Sequence, residues 1–155
     1  MSSDHFDVGE WPVAILAGGL ATRLRPETDR VPKALLKVAG QPFLAHQLRL
    51  LRADGIRKIV LCVGYRGEMI EHEFRGGSQL GVELSYSFDG PELLGTGGAI
   101  KKALPLLGKK FLVLYGDTLL DVDFGRMMAA HAKSGADATL FVHPNDHPHD
   151  SDLVE

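Results

Sequence analysis

The chain has 155 residues, 45% hydrophobic and 24% charged; that length can bury roughly 70% of the unfolded chain's surface, and that composition excludes disordered, collagen-like and membrane classes. Seventeen Lys and Arg against 20 Asp and Glu leave a net charge of -3, so no basic field points to nucleic acid or an anionic membrane, and any phosphate chemistry must be local. A single cysteine, Cys62, cannot form an internal disulfide, and no apolar run approaches the roughly 20 residues of a membrane span, so a soluble protein of the reducing cytoplasm is expected.

Residues 1–10 are polar and without periodicity, and read as a flexible leader to one domain over 11–155. From Trp11 onward, apolar runs alternate with helical patterns. Strands are expected at 13–16, 58–63, 82–88, 111–115 and 138–142, and helices at 42–52, 68–74, 96–103 and 124–133. Leu44, Leu48, Leu51, Ile70, Phe74, Met127 and Met128 fall on the apolar faces of those helices. Alternating βα units predict an α/β fold, a Rossmann-like three-layer αβα sandwich on a mostly parallel sheet. The sheet is expected to be C-terminally incomplete, because the pattern calls for another strand at 152–155, where the chain stops. Ligands of such sheets bind beyond the carboxyl ends of the strands where strand order reverses. The loops after Leu16 and Tyr115 hold the most unusual residues, and they become neighbours if their strands flank that point.

The first of these loops runs Leu16-Ala17-Gly18-Gly19-Leu20-Ala21-Thr22-Arg23-Leu24-Arg25-Pro26, followed by Val31-Pro32-Lys33-Ala34-Leu35-Leu36. Its glycines would let backbone N–H groups approach phosphate oxygens, Arg23 can fork onto two oxygens, and Lys33 supplies a point charge. A tight βα turn with solvated basic residues is the alternative. Neither G-x-x-x-x-G-K-[ST] nor G-x-G-x-x-G occurs, which disfavours a P-loop kinase or a dinucleotide-binding dehydrogenase. Asp117 follows an apolar strand, where a hard oxygen ligand for Mg²⁺ would be useful, although a turn or cap residue is equally at home there. Asp121 and Asp123 are nearby, and Asp123 reads as the N-cap of the helix that begins at Phe124. Gly95-Thr96-Gly97-Gly98 offers a bare backbone for a flat base, and Asp89, just upstream, is either an acceptor for a base edge or a water-facing loop residue. The His- and Asp-rich run at 143–150 has no closed ligand spacing, and reads as a polar loop.

Residues 16–40 resemble the signature of sugar-1-phosphate nucleotidyltransferases, L-A-G-G-x-x-T-R-L-x-P-x-T then P-K-x-L-L-x-V-x-G, and the likeness extends through Gly55-Ile56, Gly95-Thr96-Gly97-Gly98-Ala99-Ile100 and Gly116-Asp117-Thr118. Within that family the chain is most similar to mannose-1-phosphate and D-glycero-D-manno-heptose 1-phosphate guanylyltransferases. The resemblance implies transfer of a nucleoside monophosphate from a nucleoside triphosphate, here GTP, to a hexose or heptose 1-phosphate, with Mg²⁺ as cofactor and pyrophosphate as second product. It implies catalytic roles for Arg23 and Lys33, nucleotide binding by Leu16, Ala17, Gly18, Gly19, Thr22, Asp89, Gly95 and Thr96, a metal ligand in Asp117, and a sugar contact in Glu155. A catalytically inactive nucleotide-binding regulatory module, or uridylyl or thymidylyl transfer, stays open beside it. Family catalytic domains continue past residue 155 with a second metal aspartate and more of the sugar pocket, so the chain alone is expected to bind nucleotide, turn over negligibly and self-associate as a homo-oligomer through exposed strands.

Overall fold

The structure is a computed structural model that describes residues 7–21, 24 and 26–144. In chain order these form β1 (Val13–Leu16), β2 (Lys37–Val38), β3 (Gln41–Pro42), α1 (Phe43–Ala53), β4 (Lys58–Val63), α2 (Gly67–Phe74), β5 (Glu83–Phe88), α3 (Gly95–Leu107), β6 (Leu112–Tyr115) and α4 (Phe124–Ser134), with short 3-10 turns in several connections. β2 and β3 make a two-residue antiparallel hairpin, while the other four strands pair in parallel in the order β5-β4-β1-β6. From β1 the chain steps outward through β4 to β5 and then returns to the far side of β1 as β6. Strand order therefore reverses between β1 and β6, where Leu16 lies opposite Tyr115, and the loops leaving these strands meet as expected.

Side-chain alternation sorts the sheet into two packed faces. Val13 and Ile15 of β1 with Ile59, Leu61 and Val63 of β4 face Leu44, Leu48 and Leu51 of α1, Ile70 and Phe74 of α2, and Phe124 and Met128 of α4. Ala14, Val60 and Cys62 face the other way, against Ala99, Ala103 and Leu107 of α3. The second face is built largely from small side chains, so α3 lies close to the sheet. β4 is buried at every position after Lys58, as a strand covered on both faces must be. β5, at the edge, alternates in exposure up to Tyr86.

Two expectations need correcting. Residues 138–142 do not form a strand: Leu140, Phe141 and Val142 are exposed, and Thr139 Oγ1 instead pairs with His131 Nδ1 at 2.9 Å. Alternating apolar residues describe what a strand would bury, but the ladder also needs a neighbouring edge, and this segment has none among the described residues. Secondly, α3 continues past 103 to Leu107 with Pro105 inside it. Proline disfavours helix for the residue before it, but Ala99, Ala103 and Leu107 recur every fourth residue on the buried face, and their burial outweighs the local penalty. Part of the stretch read as a leader also has a place in the fold. Asp7 caps a 3-10 turn at Val8–Glu10, and Val8 packs against the core.

Candidate functional site

Three loops leaving the carboxyl ends of β1, β4 and β5 come together because two glycines leave room. A Cβ on Gly18 would stand 3.1 Å from Gly64 N and 3.3 Å from Asp89 Oδ2; one on Gly64 would stand 2.8 Å from Gly18 O and 3.0 Å from the same Asp89 oxygen. Backbone bonds link the same loops, with Ala17 N donating to Cys62 O at 2.8 Å, Tyr65 N to Gly18 O at 3.3 Å and Asp89 N to Val63 O at 2.8 Å. Further along, Ala21 takes a left-handed conformation with φ of 47°, a strained state for a residue with a Cβ. Its carbonyl accepts from the hydroxyl of the buried Thr28 at 3.0 Å. The Tyr65-Arg66 turn closes over the returning chain, since Tyr65 Oη donates to Asp29 O at 3.4 Å and Arg66 Nη1 to Arg30 O at 2.9 Å.

Lys33 opens a 3-10 turn at Lys33–Leu35 whose middle residue, Ala34, is buried in the core. Across the cleft, the loop after β6 carries Asp117. A Cβ on Gly116 would stand 2.6 Å from Leu16 O, so its absence lets this loop lie directly on the end of β1. Lys33 Nζ and Asp117 Oδ2 then meet at 2.8 Å, both half-exposed. The hydrogen bond from Lys33, aided by its charge, holds the Asp117 carboxyl below the usual carboxylate range against the opposing effect of partial burial. Asp117 Oδ1 accepts from Thr118 Oγ1 at 3.3 Å.

Asp89 is buried. Its Oδ2 accepts from Leu94 N at 3.2 Å, and its carbonyl accepts from Lys102 Nζ at 3.1 Å. The loop between β5 and α3 is thereby tied down at both ends. Asp123, by contrast, accepts from Arg126 N at 2.8 Å and caps α4 as its position before Phe124 implied.

These elements enclose a cavity of about 280 Å³ whose walls include Leu16, Ala17, Gly18, Gly19, Lys33, Asp89, Gly95, Thr96 and Asp117. The structure thus gathers onto one surface nine residues that the sequence pattern singled out across a hundred positions. Thr22, Arg23 and Glu155, the remaining candidates, lie outside the described residues. Two contributors were not singled out. Gly64 gives no local sign of its role, because the backbone it accommodates belongs to other loops. Gln47, on α1, does give one: it interrupts the apolar stripe Leu44, Leu48, Leu51. Its Nε2 donates to Tyr115 O at 2.9 Å and Thr118 O at 2.6 Å.

Cys62 also lines the cavity. Burial, and secondarily the Asp89 carboxylate, push its thiol up to about 11, so it stays protonated and unreactive at neutral pH. Iodoacetamide at about pH 8 should leave the folded chain unmodified and label Cys62 fully once the chain is unfolded. Rapid labelling of the native protein would mean that the cavity floor opens.

Among the described residues no three His, Cys, Asp or Glu side chains cluster as a metal cage. The Asp117 carboxylate beside the Lys33 ammonium suits a hard cation that takes its other ligands from phosphates and water, as Mg²⁺ does with one or two carboxylates. The donor set fits Mg²⁺ on a nucleotide and does not fit a stand-alone structural metal.

The chain is similar to several known proteins. The chain is 36% identical over 137 residues to the UTP–glucose-1-phosphate uridylyltransferase of Synechocystis sp., covering 81% of this chain and 35% of the relative. It is 40% identical over 131 residues to the D-glycero-alpha-D-manno-heptose 1-phosphate guanylyltransferase of Aneurinibacillus thermoaerophilus, covering 84% of this chain and 56% of that one. The crystal structure of HddC from Yersinia pseudotuberculosis complexed with GMP-PN superposes with a TM-score of 0.70 at 32% identity, over 78% of this chain and 54% of the other. The chain thus spans between about a third and a little over half of these proteins' lengths. Residues 13–152 match the Nucleotidyl transferase family, and the chain belongs to that family.

Proposed function

We propose that the chain carries the nucleotide-binding part of a sugar-1-phosphate nucleotidyltransferase that transfers a guanylyl group from GTP to a hexose or heptose 1-phosphate. The observation that supports this reading is the convergence on one cavity of a glycine-rich loop, a lysine, a carboxylate after β6 and the bare N-terminal turn of a helix. An oxygen of the sugar phosphate attacks the α-phosphorus of the triphosphate, the bond from that phosphorus to the bridging oxygen of the β-phosphate breaks, and pyrophosphate leaves with the electron pair. The nucleophile, with a second pKa of about 6, is already largely ionised at neutral pH and needs no general base. The protein's work is therefore placement and charge compensation. Gly18 and Gly19 present backbone to the phosphates, Arg23 stabilises the departing pyrophosphate, and Lys33 bridges the phosphates of the two substrates. Asp117 would hold Mg²⁺, which when bound neutralises phosphate charge. Thr22 joins the triphosphate loop, and Glu155 contacts sugar hydroxyls.

The names of the relatives divide between uridylyl and guanylyl transfer, so the base must be argued from the site. Asp89 lines the cavity and places Oδ2 on the Leu94 N–H, and because each carboxylate oxygen carries two lone pairs both oxygens can still accept from a base edge. A carboxylate suits guanine, which presents two adjacent donors, N1–H and the 2-amino group; uracil and thymine present one, N3–H. GTP should bind more tightly than UTP or dTTP when titrated calorimetrically with Mg²⁺. Asn at position 89 can keep one oxygen on Leu94 N while turning an NH₂ toward guanine's donors, a mismatch worth on the order of 1 to 3 kcal/mol. Asp89→Asn should therefore lower the preference for GTP and leave the fold intact. Equal or tighter binding of UTP or dTTP by the unaltered protein overturns the guanylyl assignment, and binding of none of the three overturns the nucleotide reading itself.

A further inference from the structure

The side chain of Gln47 is buried at 4% exposure among the leucines of α1, yet it is held by the site and not by the core. Both hydrogens of its Nε2 go to backbone carbonyls of one loop, Tyr115 O and Thr118 O, and these two bracket Gly116 and Asp117. Its Oε1, also buried, has no hydrogen-bond partner among the described residues. A buried acceptor left alone is destabilising, so a position that merely filled space would be better served by Leu or Met. What glutamine offers is two donors on an uncharged side chain one methylene longer than asparagine.

The same helix underlies the other half of the ion pair. Ala34, next to Lys33, packs in the core cluster with Leu44 and Leu48 of α1, and Phe43 N, at the helix start, donates to Leu36 O at 2.9 Å. α1 is thus a common base for the turn that bears Lys33 and the loop that bears Asp117. Gly116 presses that loop sideways onto Leu16, while Gln47 holds it from below.

We propose that Gln47 is a positioning residue for Asp117, fixing the loop after β6 in the arrangement that metal coordination needs; this rests on the reading of Asp117 as a metal ligand. Gln47→Met removes both donors and the orphaned acceptor while keeping length and volume. Mn²⁺ binding, followed by water-proton relaxation with GTP and separately with UTP in the absence of sugar phosphate, should weaken about 10- to 100-fold, while the variant stays folded. In an Asp117→Asn background the same substitution should weaken Mn²⁺ binding no further, since both changes act through one carboxylate. Gln47→Glu, of the same shape, turns acceptors toward the two carbonyls; it should also weaken Mn²⁺ binding and decides the matter if the Met variant does not fold. Wild-type Mn²⁺ affinity in a folded Gln47 variant overturns the proposal, as does a loss that simply adds to that of Asp117→Asn. If Asp117→Asn itself leaves Mn²⁺ affinity unchanged, it is the metal reading of Asp117 that falls.

Discussion

Asp117→Asn should reduce Mg²⁺-supported nucleotide binding and any turnover by about 10²-fold or more, whereas Asp121→Asn should change both little. Charge compensation at a phosphoryl centre is worth several kcal/mol, and each 1.4 kcal/mol is about a factor of ten. Of the two, Asp117 lines the cavity and meets the Lys33 ammonium, and Asp121 does neither. Calorimetry with and without Mg²⁺ separates the metal-dependent part of the loss, and a larger defect in Asp121→Asn would mean that the wrong carboxylate has been chosen. The pair also carries a pH signature. Because the hydrogen bond from Lys33 lowers the folded-state pKa of Asp117, its contribution to stability is complete above the ordinary carboxylate value of about 3.9 and is lost as pH falls through the lowered one. Asp117→Asn should accordingly make the acid limb of the stability curve shallower below about pH 4. The effect should be small, because both partners are half-exposed and screened by solvent.

Gly64→Ala should do more damage than its single methyl suggests. The added carbon would press on Gly18 O, Asp89 Oδ2 and Leu93 Cδ2 together. Of these the leucine swings away most easily, so relief requires the loops after β1 and β5 to separate. Overpacking of this kind costs about 1 to 3 kcal/mol, which for a chain of this size lowers Tm by roughly 2 to 4 °C per kcal/mol, and nucleotide affinity should fall with it because both walls move. Gly19→Ala is the matched control. Nothing lies within 4 Å of the site of its Cβ, so Tm should stay as it is. Equal Tm for the two variants would show that the loops do not depend on Gly64 for their approach.

The contrast between these glycines marks the limit of what local pattern carries. β1 and β4 were legible to the residue from their apolar runs, because a strand buried on both faces has to be continuously apolar. Asp123 as a helix cap and the meeting of the loops after Leu16 and Tyr115 were legible too, one from spacing and the other from the general topology of parallel sheets. Residues 138–142 misled because pairing is a property of two segments and composition reports on one. Gly64 was silent for a related reason: the atoms that forbid a side chain there come from Gly18, Asp89 and Leu93, each distant in sequence. Gln47 was visible as a polar interruption among leucines, but its partners, the carbonyls of Tyr115 and Thr118, are revealed only by the fold.

The order β5-β4-β1-β6 also has a kinetic meaning. Val13 pairs with Ile59 on one side and with Leu112 on the other, so β1, made before both of its neighbours, must wait through the synthesis of β4, β5 and α3 for the second of them. Closing such separations lowers chain entropy before any ladder bond forms, which makes parallel, non-local pairing slow. Until β6 docks, one flank of β1 stays an open edge able to pair with another nascent chain. The cavity walls run in sequence from Leu16 to Asp117, so the cavity forms only after β6 has docked on β1.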